Sequence, residues 1–181
     1  MMDKGEKKIH IVLCGIAFLL ACFIQITLLN LIAIKGITPN LLLALVIIVA
    51  YLSDYNMCAL VYGAIFGGLL DIISAPVFGA EALGLFFVGL GIVFVNDFLS
   101  NVDIYKLSII AVASIAAHNI FTFYFLKLVG IPLNFADKSF EMLLSGVYTF
   151  GIVVLLYFIA MIYLLIIDRI KRRKRRSYYR K

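Results

Sequence analysis

The sequence is poor in charged residues. Asp, Glu, Lys and Arg together make up 14% of its 181 residues, whereas hydrophobic residues make up 65% and the mean hydropathy is +1.12. This composition leaves too few polar side chains to cover a water-soluble globule of this length. It therefore excludes an ordinary soluble domain and predicts an all-α, polytopic integral membrane protein.

The sequence also lacks the spacings that assemble metal or redox sites. Its three cysteines, Cys14, Cys22 and Cys58, lie in or beside apolar segments without a CxxC pair, which is typical of small hydrophobic residues. Its two histidines, His10 and His118, are far apart, and no acidic or thiol partners are gathered around them. We therefore predict no metal, no cofactor and no catalytic residue.

Long polar stretches between the apolar segments are missing too, which indicates one membrane domain. A helix needs about 20 apolar residues to cross a bilayer, and the second segment is the shortest of six. Pro39 at its start is expected to occupy the first helical turn, where a missing N–H is tolerated. We predict a basic N-terminus at 1–8, a transmembrane domain at 9–167 and a tail at 168–181. The predicted spans are 9–29, 39–52, 57–74, 80–98, 104–129 and 141–167.

Lysines and arginines are distributed unevenly between the two ends of these spans. If both termini lie in the cytoplasm, thirteen of the sixteen basic residues are cytoplasmic, and Lys35, Lys127 and Lys138 lie at the outer side. Basic residues concentrate on the cytoplasmic side of membrane proteins. The charge distribution therefore predicts six spans with both termini in the cytoplasm.

A cluster of basic residues follows the last predicted span. At the end of a membrane helix, such a cluster is typical of an anchor on anionic lipids, where each basic residue contributes about 1 kcal/mol. Charge alone would also suit nucleic acid, but the position favours lipid, with docking to a cytoplasmic partner as a compatible role. We predict a lipid-binding tail and no nucleic-acid partner. Its basic residues include Arg169, Lys171, Arg172, Arg173, Lys174, Arg175 and Arg176.

Two polar residues, His118 and Asn119, lie near the middle of the fifth predicted span. Polar side chains are costly at that depth, and they commonly either bond to a neighbouring helix or serve a function. We interpret the pair as an interhelical hydrogen-bonding site. Ligand binding and proton transfer stay open as alternatives.

Two carboxylates, Asp71 and Glu81, flank a helix break at Pro76 and Gly79. Asp71 is expected to accept hydrogen bonds from loop amides or from the start of the fourth helix. Glu81 is expected in the first turn of that helix, where the helix dipole favours an anion. A catalytic acid–base pair would also need a cleft and a nucleophile, and the sequence supplies no nucleophile nearby. We therefore predict a structural or functional role for these four residues in an outer loop.

Small residues recur at helical spacing. Gly63 and Gly67 form a small-xxx-small pair that Gly68 adjoins, and Ala17 and Ala21 form another in the first span. Small residues let membrane helices approach closely. We predict helix packing at these positions, either within the chain or with a partner helix.

Several short motifs occur together between Gln25 and Gly91. They are Gln25 and Thr27 late in the first span, Pro39-Asn40-Leu41, Gly63-x-x-x-Gly67, Leu70-Asp71, Pro76-x-x-Gly79 and Ala82-Leu83. With these motifs the sequence resembles the MreD family of bacterial rod shape-determining membrane proteins. In the number and size of its spans and the lack of large loops, the resemblance extends over the whole chain.

The resemblance implies a non-catalytic subunit of the bacterial cell-elongation complex, embedded in the plasma membrane. Such a subunit binds the bitopic membrane protein MreC and is linked through it to MreB filaments, to peptidoglycan synthases and to other elongation proteins.

A second function is compatible with the same architecture. MreD is similar to the substrate-binding subunits of energy-coupling factor vitamin transporters, which also have six helices. Those subunits dock through an alanine-xxx-alanine surface on their first helix, and Ala17 and Ala21 have that spacing. An outward cavity with convergent polar and aromatic groups would favour this alternative.

Overall fold

The computed structural model describes residues 4–29, 33, 36–52, 56–74, 77–96 and 103–178. Helices account for most of this part of the chain, which confirms the predicted all-α class. The six helices are α1 (Lys4–Thr27), α2 (Leu41–Leu52), α3 (Asn56–Ser74), α4 (Ala80–Asn96), α5 (Ile104–Leu128) and α6 (Phe135–Tyr178).

Four of the helices are long and apolar enough to cross a membrane. Their candidate spans are Lys8–Thr27, Met57–Ser74, Ile104–Leu128 and Lys138–Tyr163. The other two helices, α2 and α4, have 12 and 17 residues. At 1.5 Å per residue, α2 is roughly 18 Å long, which is shorter than the hydrocarbon core of about 30 Å.

The short helix α2 lies at the centre of the bundle. It packs against all five other helices, and eight of its twelve residues are buried, including Leu42, Val46 and Tyr51. A helix that is apolar on every side is typical of such a buried position. Because other helices surround α2, its length need not match the thickness of a bilayer.

The predicted position of Pro39 is wrong. Pro39 does not occupy the first turn of α2, because Asn40 caps the helix: its side-chain Oδ1 accepts from the Leu43 amide at 2.9 Å, and its carbonyl accepts from the Ala44 amide. Asparagine is among the strongest N-cap residues. Helix α1 begins at Lys4, so it includes part of the predicted basic N-terminus, and its candidate span begins at Lys8.

Helix α6 begins at Phe135, six residues before the predicted span, and continues through the predicted tail to Tyr178. No glycine or proline follows Gly151. Lysine and arginine are good helix formers and are favoured near a helix C-terminus. The basic residues therefore extend the last helix; their side chains lie outside the described part of the structure.

The glycine pair of α3 packs inside the chain. A Cβ added at Gly67 would lie 3.0 Å from the Cα of Ala82 on α4, and one at Gly63 would lie 2.9 Å from a methyl carbon of Val46 on α2. Gly68 is looser, since its nearest neighbours would be 3.9 Å away. Helix packing thus occupies Gly63 and Gly67 within this chain.

Candidate functional site: a polar cavity at one end of the bundle

Asp71 caps a helix other than its own. Helix α4 begins after Gly79, which has a φ of +103° and carries no side chain to bond the free amides of the first turn. The buried Asp71 carboxylate, at the end of α3, supplies that acceptor. Its Oδ2 accepts from the amides of Gly79 and Ala82 and its Oδ1 from the amide of Glu81, all at 3.0 Å. The turn is thereby fixed to α3. Pro76, predicted as part of it, lies outside the described residues.

Gln25 joins α1 to the start of α2. Its side-chain Nε2 donates to the carbonyl of Pro39 at 2.9 Å, and its Oε1 accepts from the amide of Leu41 at 2.7 Å. The first turn of any helix has backbone N–H groups without an intrahelical partner, and the Leu41 N–H is one of them. The glutamine therefore holds the chain on both sides of Asn40.

Asn40 directs its side chain toward a buried acid–histidine pair. Its Nδ2 donates to Oε2 of Glu81 at 3.0 Å. The same oxygen lies 3.2 Å from Nε2 of His118 on α5, an ion-pair distance without the alignment of a hydrogen bond. His118 is 3% exposed and its ring packs against Gly84, where a Cβ would lie 3.0 Å from it. The contacts of Asn40 with Glu81 and of Glu81 with His118 thus join the start of α2 to α4 and α5.

Helix α6 completes the polar cluster with two hydroxyls. The backbone N–H of Asn40 donates to Oγ1 of Thr149 at 3.0 Å, and the Thr149 hydroxyl donates in turn to the backbone carbonyl of Ser145. The Ser145 hydroxyl donates to the carbonyl of Thr38 at 3.2 Å. On α5, Asn119 donates to the carbonyl of Met142 at 3.1 Å. Buried polar groups in the bundle are thus mostly paired, as such groups generally are.

A cavity of about 620 Å³ opens beside this cluster. Ligand sites in proteins span about 300–1,000 Å³, so it could hold a small molecule. Lys138 and Glu141 on α6 lie in its wall and form an ion pair with each other. Further polar lining residues are Gln25, Thr38, Asn40, Ser74, Glu81, His118, Asn119, Thr122 and Ser145, and apolar ones include Leu70, Phe123, Leu126 and Met142.

The cluster consists of hydrogen-bonding groups and one acid–histidine contact. Among the described residues, no three His, Cys, Asp or Glu side chains come close enough to hold a metal ion. The two titratable groups in contact, Glu81 and His118, are an acid and a base without an adjacent serine, threonine or cysteine nucleophile hydrogen-bonded to either. The described part of the chain therefore offers hydrogen-bonding groups to a ligand.

The structure brings together residues that the sequence left apart. Glu81 lies in the first turn of α4, where it was predicted, but it also contacts His118 across the cavity wall. Asn119 makes an interhelical bond to α6, the kind of contact predicted for it.

Thr149 and Ser145 had no place in the predicted site. Their only signal is a Ser-x-x-x-Thr spacing in an otherwise apolar helix, which puts both hydroxyls on one face. Of the small pair on α1, Ala21 is buried at 6% exposure, and Ala17 is half-buried.

Comparison with known proteins finds no relative of this chain. No family model, no curated protein and no solved structure matches the chain. Function is therefore inferred from its own residues and their contacts.

Proposed function

We propose that the chain is a non-catalytic subunit of a bacterial cell-elongation complex in the plasma membrane, and that it binds an MreC-like bitopic protein. The supporting observation is that several of the residues that carry the resemblance to the MreD family contact one another. These residues belong to four helices and to the turns between them, and they lie at the cavity end of the bundle.

Four groups of contacts make up this arrangement. Gln25 bonds to both Pro39 and Leu41, and Asn40 bonds to Glu81 on α4. Gly67 admits the backbone of Ala82. Asp71 bonds to the amides of Gly79, Glu81 and Ala82. Motifs of glycine, proline and one acid are common in apolar sequences. Here, however, residues of different motifs contact one another, which gives them a shared structural role. A rigid end of this kind suits a subunit that presents a fixed surface to a partner.

The partner's surface does not include the glycine pair of α3, because α2 and α4 already occupy it. A partner helix must therefore pack elsewhere, on the helices that keep apolar faces outside. Among these, α1 exposes Leu20 and Phe23, which are 55% and 65% accessible. This is the helix that the bundle covers least, together with α6, since only 17% of each candidate span is buried.

The proposal includes six spans with both termini in the cytoplasm. Reporters fused after Lys181, or inserted at 53–55 between α2 and α3, should then report the cytoplasm. A reporter inserted at 131–134, between α5 and α6, should report the outer side, because the basic residues concentrate at the opposite end. Paired alkaline phosphatase and fluorescent protein fusions measure this. An external C-terminal reporter would contradict the topology.

Depletion tests the function in a rod-shaped bacterial host of this chain. Cells that lose the protein should round up or swell within a few generations, because lateral wall growth would no longer be coordinated. Re-expression of the wild-type chain should restore rods. Normal rods after complete depletion, verified by immunoblot, would overturn the proposal.

A second function is favoured by one observation, the cavity of about 620 Å³ with polar groups on several sides. We consider a substrate-binding subunit of an energy-coupling factor transporter on this ground. Against it, Ala21 of the Ala17 and Ala21 pair is buried, so the pair does not form an open docking surface. Loss of the uptake of one vitamin on depletion, with cell shape unchanged, would replace the first proposal by this one.

A further inference from the structure

The cavity wall contains two buried polar atoms that make no hydrogen bond within the described structure, although one of them, Nε2 of His118, lies 3.2 Å from Oε2 of Glu81. Within the described part of the chain, Nε2 of His118 and Oγ1 of Thr122 are buried, and neither makes a hydrogen bond. The two residues stand four positions apart on α5, so they lie on one face of the helix, and both line the cavity. They are the buried polar atoms with which a molecule in the cavity would bond, since the side chains of Gln25, Asn40 and Ser145 already bond within the protein.

The charges in the wall are already paired. Lys138 binds Glu141, and Glu81 contacts His118. The Glu81 and His118 side chains are 19% and 3% exposed, so a charged group placed against them would have to break their contact or remain without a counter-charge, and either is costly in a low-dielectric site. The Lys138–Glu141 pair is exposed and contributes little to this selection. An uncharged ligand brings no charge that needs a partner. The electrostatics at the Glu81 and His118 end of the cavity therefore select against ions.

A hydroxyl-rich molecule meets the remaining requirements. A hydroxyl both donates and accepts, so it can bond to the threonine hydroxyl and to a ring nitrogen in either protonation form. Phe123, Leu126 and Met142 in the same wall supply apolar surface for the C–H faces of such a molecule.

We propose that this cavity binds an uncharged, hydroxyl-rich small molecule or a headgroup of that chemistry, held by Thr122 Oγ1 and His118 Nε2. The site goes beyond the binding of a partner protein and does not depend on it. A subunit that coordinates a complex and a subunit that delivers a solute could both carry this site.

Equilibrium binding to the full chain in lipid nanodiscs tests the proposal. The probes are radiolabelled glucose, which represents a free molecule, and radiolabelled octyl glucoside below its micelle concentration, which represents a headgroup. Glucose 6-phosphate and glucosamine serve as charged probes of similar size. We expect saturable binding of at least one neutral probe, at least tenfold tighter than that of either charged probe. Binding of glucose would identify a free solute as the source, and binding of octyl glucoside alone would identify a headgroup.

A threonine variant separates binding from folding. Thr122→Val removes a hydroxyl that has no partner within the described structure, so the melting temperature should stay within 2 °C while affinity for the neutral probe falls at least tenfold. Thr27→Val, outside the cavity, should bind as the wild type does. The proposal is overturned if neither neutral probe binds, if a charged probe binds equally well, or if Thr122→Val binds unchanged. These results do not bear on co-purification of a partner, so the two proposals fail independently.

Discussion

Replacing Gly67 by leucine should prevent the protein from folding or from forming its complex, although the substitution makes the chain more hydrophobic. A Cβ at this position would already lie 3.0 Å from the Cα of Ala82 and 3.1 Å from its amide nitrogen. Backbone atoms cannot rotate away, so α3 and α4 must separate. Overpacking typically costs about 1–3 kcal/mol, and the shift would also pull Asp71 from the amides that it bonds. Fluorescence-detected size-exclusion chromatography of a tagged variant measures the loss of folded protein.

Gly91→Leu is the matched control for this substitution. Gly91 lies on α4 as well, but it is exposed and no neighbouring atom lies within 4 Å of an added Cβ. The same change in composition should therefore leave the chromatographic peak and the partner's binding intact. A Gly67→Leu protein that elutes and binds like the Gly91→Leu protein would show that the α3–α4 contact does not limit folding.

Replacing Asp71 by asparagine should weaken the α3–α4 turn strongly. The carboxylate is 2% exposed and accepts from three amides. An asparagine keeps one acceptor oxygen. Its NH₂ group replaces the other oxygen and faces either the Glu81 amide or the amides of Gly79 and Ala82. At least one buried amide then loses its partner, which costs about 1–3 kcal/mol for each unsatisfied group. We expect a lower melting temperature in nanodiscs and reduced rescue of cell shape.

Asp103→Asn provides the control for this effect. The Asp103 side chain is 59% exposed and lies 3.8 Å from Lys106, and such exposed pairs contribute at most about 1 kcal/mol. Its backbone N–H and carbonyl, which bond to the Tyr51 hydroxyl, are unchanged by the substitution. Equal melting temperatures for the two asparagine variants would contradict the capping role of Asp71.

Local signals predicted much of the helical framework. The predicted bounds of α3, α4 and α5 agree with the structure to within two residues. Each of these helices is apolar and adjoins a polar segment or, for α4, the Gly79 turn. The start of α2 was predicted wrongly because it depends on a side-chain bond, the Asn40 cap, and not on composition. Helix α6 extends beyond its predicted span because no glycine or proline interrupts the basic segment.

The cavity was beyond the reach of sequence patterns. Glu81 and His118 are 37 positions apart and belong to different helices, and their contact depends on how α4 rotates against α5. Both helices are apolar on nearly every side, so hydropathy does not specify that rotation. Gly84 does, because only a residue without a side chain lets the imidazole pack against the α4 backbone. The hydrogen bonds of Asn40 to Glu81 and to Thr149 also join residues far apart in the sequence, at separations of 41 and 109 positions.

Purification of the full chain with its stable partner tests the central claim most directly. The protein, tagged after Lys181, would be isolated from detergent-solubilised membranes of the rod-shaped bacterial host used for depletion. Co-purifying proteins would be identified by mass spectrometry, with the Gly91→Leu and Gly67→Leu variants in parallel. We expect a bitopic protein with one membrane helix and a large external domain to co-purify with the wild type and Gly91→Leu, and to be lost with Gly67→Leu. Recovery of transporter ATPase subunits in its place, or of no stable partner, would contradict the account.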